Sequence, residues 1–367
     1  MDDPVYPIFL ACPPGLEAAL AEEARALGLS APVAVAGGVE TSGGWPDIWR
    51  ANLWLRGASR VLVRIGSFRA LHLAQLDKRA RKFPWGDVLR ADVPLRVDAT
   101  CTRSRIYHQG AVAQRVSRAI TETLGAPIDA GADLRLMVRL DDDLVTLSLD
   151  TSGDGLHKRG HKLAIGKAPL RETMAALFLR QMGYDGSQPV LDPMCGSGTF
   201  VIEAAEIACG LAPGRARSFA FEHLARFDAK GWDAMRAGPS RAAPAQFFGY
   251  DRDQGAVRNA TENAARAGVD ACTRFACQPI SALTRPDVPP GLILVNPPYG
   301  GRIGNPKLLF GLYASLGTVV KQHFRGWRLG LVTSERKLAH ATGLPLTPGP
   351  PVPHGGLKVQ LFQTPPL

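Results

Sequence analysis

The stretch Val190 to Phe200, VLDPMCGSGTF, decides the fold of the second half of this chain. An apolar run ends at Leu191, the acidic Asp192 follows, and Gly196 and Gly198 form a short loop before a helical run. Glycine lets the backbone adopt positive φ and pass close to a ligand. The spacing is not G-x-G-x-x-G and the loop has no lysine, so it favours neither a dinucleotide nor a phosphate. A cationic amino-acid tail suits the carboxylate better, and a turn without a ligand is the alternative.

Strand-like and helical runs alternate on the C-terminal side of this loop. Three further apolar runs, QFFGYD, GLILV and RLGLV, follow it, and helical stretches lie between them. Such alternation indicates a parallel sheet with helical crossovers. In sheets of this kind ligands bind beyond the carboxyl ends of the strands.

Two more polar groups stand at predicted strand ends. The run FFGYDRD ends a strand in Asp251, and a carboxylate there can accept hydrogen bonds from ribose hydroxyls. Asn296, Pro297, Pro298 and Tyr299 follow the strand GLILV directly. The Asn296 side-chain oxygen can accept a hydrogen bond from a base amino group, while the rigid prolines hold a backbone carbonyl as a second acceptor. Tyr299 offers a face for an extruded base. Together these groups predict methyl transfer to an exocyclic nitrogen, although a simple proline turn is the alternative.

The N-terminal part of the chain has a different pattern. Strands are predicted at Val5 to Ala11, Ser59 to Phe68 and Val93 to Thr100, with a helix over Leu16 to Leu27. A basic loop and amphipathic helix, and then two strands flanking Asp141 to Asp143, complete a small α+β unit. The glycine- and lysine-rich stretch that follows, TSGDGLHKRGHKLAIGKAP, is predicted to be a linker.

Composition narrows the class of protein. The 367 residues suit two or three domains, and 46% hydrophobic residues are enough for ordinary cores. A formal net charge of +10 favours an anionic partner, nucleic acid first, although lysines and arginines that only solvate the surface would give the same number. The six cysteines have no metal-ligand spacing, so no metal site is predicted. The sequence shows no signal peptide and no apolar run long enough to span a membrane, so we expect a cytoplasmic protein without a membrane partner.

In combination and order, these motifs resemble the THUMP-domain class I methyltransferase family. The family includes the guanine-N2 half of the bacterial large-subunit rRNA N2-guanine methyltransferase and its stand-alone relatives. The similarity extends over nearly the whole chain, through FLACPPGLEAALAEEARALG, DTSGDGLHKRGHK, APLRETMAAL, DPMCGSGTFVIEAAEIA and NPPYGGRIG. It implies a Rossmann-like α/β domain with a mostly parallel seven-stranded sheet, preceded by an α+β ferredoxin-like and THUMP module.

The resemblance also implies domains and a cofactor. The ferredoxin-like subdomain is expected at 1–60, the RNA-binding THUMP domain at 61–153, the linker at 154–168 and the methyltransferase domain at 169–367. The implied cofactor is S-adenosylmethionine, and the implied partner is RNA, with the protein acting as a monomer. The glycine loop would hold the methionine part of the cofactor through Asp192, Pro193, Met194, Cys195, Gly196, Ser197, Gly198 and Thr199. Asp251 would hold its ribose.

The implied catalytic residues are Asn296 to Tyr299, and the predicted activity is methylation of a guanine N2 in large-subunit rRNA. A tRNA substrate, an adenine N6 in DNA and a non-catalytic RNA-binding factor are the alternatives. Basic side chains in the THUMP region, the linker and the loop after Tyr299 are the candidates for binding the RNA substrate. These are Arg103, Arg105, His157, Lys158, Arg159 and Arg302.

Overall fold

A computed structural model of the chain describes residues 4–162, 170–238, 240–300 and 306–367. The chain divides into two compact units. The first contains residues 4–12, 21–156 and 217–237, and the second contains residues 13–20 and the described parts of 157–216 and 238–367. The helices are α1 (Glu17–Ala26), α2 (Trp45–Trp54), α3 (Leu73–Arg81), α4 (Gln109–Leu124), α5 (Glu172–Gln181), α6 (Thr199–Ala208), α7 (Ala229–Arg236), α8 (Gln254–Ala267), α9 (Pro306–His323) and α10 (Arg336–Ala341).

The first unit is built on a seven-stranded sheet. Its strands are β1 (Tyr6–Ala11), β2 (Ser30–Val35), β3 (Gly38–Gly43), β4 (Arg60–Arg69), β5 (Leu95–Thr102), β6 (Leu134–Asp141) and β7 (Leu144–Asp150). The order across the sheet is β2-β3-β1-β4-β7-β6-β5. Alternating burial along β6 explains its single apolar face, and α4 buries Val112, Val116 and Ile120 at helical spacing. The predicted strands at the N-terminus are therefore present.

The domain boundary expected at residue 60 falls at the first residue of β4. This strand pairs with β1 on one side and with β7 on the other, so strands from both sides of the boundary belong to one sheet. The predicted boundary between domains 1–60 and 61–153 therefore lies within one continuous sheet. The assignment of these two ranges as separate domains stays a prediction.

The segment 217–237 contributes an aromatic cluster to the first unit. Phe221 and Trp232 are almost fully buried and meet edge-on, with ring centroids 4.9 Å apart. Trp49 of α2 stacks on Phe221 at 6.1 Å. Aromatic pairs in these orientations contribute about 0.5–1.5 kcal/mol beyond their buried area. The segment interrupts the second unit in sequence, but its side chains belong to the core of the first.

The second unit has a mostly parallel sheet in the order β10-β9-β8-β11-β12-β15-β13. Its strands are β8 (Val190–Asp192), β9 (Phe247–Asp251), β10 (Thr273–Cys277), β11 (Leu292–Val295), β12 (Arg328–Thr333), β13 (Thr347–Pro348), β14 (Val352–His354) and β15 (Leu357–Gln363). β8 to β12 pair in parallel and β15 runs antiparallel, with β14 also pairing with β15. Every residue of β8 and β11 is buried, as expected for strands covered on both faces. The predicted Rossmann-like, mostly parallel sheet is confirmed, but it has eight strands and not the seven expected, because β14 adds to β15.

The strand order reverses between β8 and β11. From β8 the chain proceeds to β9 and β10 on one side, and β11 and β12 lie on the other. Asp192 and Asp251 end β8 and β9, and Asn296 follows the last residue of β11. Because parallel strands present their carboxyl ends at one edge, all three side chains lie at the position where ligands bind in open α/β sheets.

Among the described helices, none is long and apolar enough to cross a membrane.

Candidate functional site

The glycine loop between β8 and α6 is tightly folded. Gly196 and Gly198 have φ of +52° and +85°, in the left-handed region that favours glycine. The Gly198 amide donates to the Cys195 carbonyl at 2.8 Å, which closes a turn. The Cys195 amide donates to the Tyr250 carbonyl at 2.8 Å, so the loop is attached to the neighbouring strand β9.

A glycine in β9 allows the loop and β10 to approach each other. A Cβ atom at Gly249 would lie 2.4 Å from Cδ1 of Phe275 and 3.1 Å from the Cys195 sulfur. A Cβ atom at the first of these distances would force the Phe275 ring or the strand to move, so glycine is the residue that fits without a shift. Gly249 lies inside the strand predicted from FFGYD, and no role was predicted for it. A glycine inside a strand pattern was the available signal.

Asp192 is a buried carboxylate at the loop entrance, 2% exposed. Its Oδ1 accepts the Met194 amide at 3.0 Å. Burial raises the pKa of Asp192 well above its usual value, and the negative charge of Asp251 raises it further, while the Met194 hydrogen bond opposes the shift. A buried acid beside a second acid is stabilised in its ionised form by a cation. The pair therefore suits a ligand with a positively charged group.

Asp251 joins the second strand to the glycine loop. Its Oδ2 accepts the Gly196 amide at 3.0 Å, and its Oδ1 accepts the Asp253 amide at 3.0 Å. A carboxylate has about four acceptor sites, so both oxygens can accept further hydrogen bonds. The arrangement is compatible with the predicted contact to ribose hydroxyls. It also gives Asp251 a second role, since it holds the loop.

Asn296 has a buried amide oxygen at the carboxyl end of β11. The Oδ1 atom is inaccessible to solvent and receives no hydrogen bond from any residue that the structure describes. A buried acceptor without a donor costs about 1–3 kcal/mol. The side chain is therefore suited to a donor from outside the protein, such as an amino group.

Two side chains that the sequence analysis missed hold the loop after Asn296. The Tyr313 hydroxyl donates to the Pro298 carbonyl at 3.2 Å, and the Gly300 amide donates to Oε1 of Glu335 at 2.8 Å. Both come from elements distant in sequence, and nothing local marks them. Tyr313 therefore fixes the Pro298 carbonyl, and this oxygen has a second lone pair that can accept another hydrogen bond.

Tyr299 has a different environment from the one predicted. Its side chain is only 1% exposed. Stacking on an extruded base requires an accessible ring face, and here the ring is packed inside the protein. The structure therefore supports Tyr299 as part of the packing beneath the loop, and the stacking role stays a prediction.

The predicted linker residues are not all on the surface. Arg159 is 3% exposed, and its Nη2 lies 3.4 Å from Oε1 of the buried Glu203. A guanidinium in this position cannot meet an RNA backbone without leaving its ion pair, so the structure does not present Arg159 as the predicted RNA contact. Lys158 is exposed and His157 is half-buried, with its pKa lowered by burial and by the charge of Arg171.

The remaining predicted substrate contacts lie in the first unit or outside the described residues. Arg103 and Arg105 are exposed. Arg103 forms a two-pronged hydrogen bond to Asp141 at 2.8 and 2.9 Å, and the Arg105 amide donates to Asp143 at 2.8 Å. Water and salt screen exposed ion pairs of this kind, so a phosphate can replace the carboxylate. Arg302 lies outside the described residues. Within the described ranges no three His, Cys, Asp or Glu side chains are grouped as a metal ion would require.

Comparison with known proteins gives the family. Residues 159–345 match the model of the RMKL-like methyltransferase domain, just over half of the chain, and residues 7–62 match the RlmL ferredoxin-like domain. The chain therefore belongs to the RMKL-like methyltransferase domain family. The predicted class of protein, a methyltransferase with a Rossmann-like fold that depends on S-adenosylmethionine, is confirmed at this level.

Individual relatives agree with this assignment. The chain is 39% identical over 365 residues to the ribosomal RNA large subunit methyltransferase K/L of Syntrophotalea carbinolica, covering 94% of this chain and 51% of the relative. It spans about half the length of the curated relatives it matches. A solved structure described as a predicted N6-adenine-specific DNA methylase from Listeria monocytogenes is 31% identical, with TM-score 0.88 and coverage of 99% and 97%. A putative methyltransferase complexed with SAH is 26% identical, with TM-score 0.89 and coverage of 100% and 99%.

Proposed function

We propose that the chain transfers a methyl group from S-adenosylmethionine to the exocyclic N2 of a guanine in large-subunit rRNA. Support for rRNA comes from relatives named as large-subunit rRNA methyltransferases and from the match to the RlmL ferredoxin-like domain. The net charge of +10 agrees with a polyanionic substrate. We also propose that the protein is cytoplasmic and monomeric, and that residues 61–153 form a THUMP domain.

The carboxyl edge of the sheet provides the groups that the reaction needs. S-adenosylmethionine supplies an electrophilic methyl group on a sulfonium. Asp192 holds the ammonium group of its amino-acid tail, which removes the unfavourable burial of that carboxylate. Asp251 accepts the ribose hydroxyls while its Oδ2 keeps Gly196 in place. The glycine loop lets this ligand lie against the backbone.

Asn296 orients the base. Its Oδ1 accepts a hydrogen bond from one N–H of the guanine amino group, and a backbone carbonyl of the following prolines accepts the other. With both hydrogens held, the nitrogen lone pair faces the methyl group, and most of the rate enhancement comes from this alignment. This nitrogen would accept the methyl group that the bound cofactor supplies, and the methylated amino group would then release one proton to water.

One observation carries the proposal. The buried Asn296 Oδ1 has no hydrogen-bond donor among the described residues, and Asn296 follows the strand β11, which lies directly beside the strand β8 that ends in Asp192. Register places Leu191 of β8 beside Ile293 of β11, so the two side chains leave the same edge of adjacent strands. Neighbouring strands lie about 4.8 Å apart. A donor bound at Asp192 and an amino group bound at Asn296 therefore share one region.

The test is incubation of the protein with cofactor labelled in the methyl group and with large-subunit rRNA, tRNA or DNA. We expect label in rRNA, recovered as N2-methylguanosine after digestion. Label recovered only in tRNA would move the substrate to the tRNA alternative.

An adenine N6 in DNA is the second candidate, because Asn-Pro-Pro-Tyr suits either amino group and the Listeria neighbour is described as an N6-adenine-specific DNA methylase. Label found only in DNA adenine would establish it. The non-catalytic alternative, an RNA-binding factor, requires that calorimetry detect no S-adenosylmethionine binding.

A further inference from the structure

Two residues of α8 contact the glycine loop from behind. Nδ2 of Asn263 donates to the Ser197 carbonyl at 3.1 Å, and the Asn263 side chain is fully buried. Arg266, one turn later on α8, donates from Nη2 to Oδ1 of Asn263 at 2.6 Å. The arginine also donates from Nε to the His161 carbonyl at 2.9 Å. A continuous chain of hydrogen bonds therefore runs from residue 161 through α8 to the loop.

The polarity of this chain fixes the Asn263 amide in one orientation. Arginine can only donate, so the oxygen of Asn263 must face Arg266. Its NH₂ group must then face Ser197, where the carbonyl can only accept. Reversing the amide would break both contacts.

The loop needs such a contact because of its glycines. Gly198 has φ of +85°, and glycine populates positive and negative φ about equally well. The peptide between Ser197 and Gly198 therefore has more than one accessible orientation in a free chain. Asn263 holds its carbonyl toward α8, while the Gly198 amide donates to Cys195. Both ends of this peptide are then held.

The neighbouring residue of the loop is held from the other side. Lys162 donates to the Thr199 hydroxyl at 2.9 Å and to the Leu170 carbonyl at 3.2 Å, and it pairs with Glu172 at 3.0 Å. Residues 161 and 162 thus contact both α8 and the start of α6.

We propose that Asn263 and Arg266 are positioning residues for the cofactor: they hold the Ser197–Gly198 peptide in the orientation that S-adenosylmethionine requires. The inference rests on the proposed cofactor site, and it assigns a role to two α8 residues that contact neither the reacting nitrogen nor the methyl group. Their loss weakens cofactor binding and leaves RNA binding unchanged.

The direct test is Asn263→Asp. A carboxylate keeps the contact to Arg266 but cannot donate to Ser197, so only the loop contact is lost and two acceptors face each other. Asn259→Asp, the same change one turn earlier on α8, is the matched control. Titration calorimetry should show S-adenosylmethionine affinity reduced about tenfold or more for the first variant, the size expected for one buried hydrogen bond, and within about twofold for the control.

Arg266 provides a second comparison. Lysine keeps the positive charge but lacks the rigid planar fork of a guanidinium, so Arg266→Lys should bind S-adenosylmethionine more weakly than wild type and more tightly than Arg266→Gln. Because both residues act through one contact, Asn263→Asp combined with Arg266→Gln should lose less than the two separate effects added together.

Amide hydrogen exchange without any ligand separates this inference from the proposed function. We expect faster exchange across residues 195–199 in Asn263→Asp than in Asn259→Asp, with RNA affinity equal in both by fluorescence anisotropy. Unchanged exchange and unchanged cofactor affinity would overturn the positioning role, as would equal losses of cofactor and RNA affinity. A wild-type protein that exchanges slowly there but binds no S-adenosylmethionine would refute the cofactor assignment instead.

Discussion

The Asp251 carboxylate accepts a hydrogen bond from the Gly196 amide at 3.0 Å, across 55 positions of sequence. The contact joins the end of β9 to the loop that follows β8. One acidic side chain therefore shapes the loop and faces the ligand region, so its removal should affect the cofactor in two ways.

Asp251→Ala should weaken S-adenosylmethionine binding by about tenfold to a hundredfold, the size expected for charge-assisted hydrogen bonds. Asp251→Asn keeps an oxygen that can accept the Gly196 amide. Its S-adenosylmethionine affinity should therefore lie between those of Asp251→Ala and wild type. Calorimetry on both, with Asp270→Ala on the exposed surface as control, measures this. Affinity of Asp251→Ala within about twofold of wild type would show that the loop needs no support from β9.

Asp192 should make the ligand-free protein less stable as the pH rises. Burial raises the pKa of Asp192, so the folded chain holds this proton more tightly than the unfolded chain. Ionisation of Asp192 therefore destabilises the folded chain. This destabilisation grows as the pH rises from the ordinary pKa of 3.8 to the raised pKa of the folded chain.

Asp192→Asn removes this effect, while its side-chain oxygen can still accept the Met194 amide. We expect a higher melting temperature for the ligand-free variant at about pH 8 and a smaller change in stability between about pH 5 and pH 8. We also expect S-adenosylmethionine affinity to fall by about tenfold or more, because the partner of the ammonium is lost. Thermal unfolding and calorimetry measure the two effects, and a variant that gains stability but keeps its affinity would exclude the ammonium contact.

Asn296→Ala should abolish turnover and change S-adenosylmethionine affinity by less than about tenfold, or roughly 1.4 kcal/mol. The side chain orients the base and does not hold the cofactor. Steady-state methylation of rRNA with parallel calorimetry separates the two quantities. Wild-type turnover in this variant would refute the role assigned to Asn296.

Gly249→Ala tests the close approach between β9, β10 and the loop. The added methyl group would meet Phe275 at 2.4 Å, so strand or ring must move. Overpacking of this kind costs about 1–3 kcal/mol, and we expect a lower free energy of unfolding in denaturant titrations together with weaker cofactor binding. Gly311→Ala on α9, where a Cβ meets nothing within 4 Å, is the matched control. Equal stability of the two variants would contradict the packing described here.

Local pattern predicted the elements that carry the site. Asp192, Asp251 and Asn296 each follow a short apolar run, and such runs bounded by polar turns indicate buried strands. The weaker elements were not predicted: β3, with the sequence GVETSG, has no apolar alternation, and the preceding β2 and the following α2 were also missed. Stability there comes from pairing with β1.

Contacts between distant positions could not be predicted. Arg159 looked like one more basic linker residue, yet it pairs with Glu203, 44 positions away. Asn263 reaches Ser197 across 66 positions and Arg266 reaches His161 across 105. No period or spacing encodes such pairs, because they depend on how the sheet brings α8 and the loop together.

Nucleoside mass spectrometry of rRNA from a strain lacking the gene tests the central claim most directly. We predict the loss of one N2-methylguanosine from large-subunit rRNA, restored by the wild-type gene and not by Asn296→Ala. Loss of N6-methyladenosine instead, or no loss of any methylated nucleoside from rRNA, would contradict it.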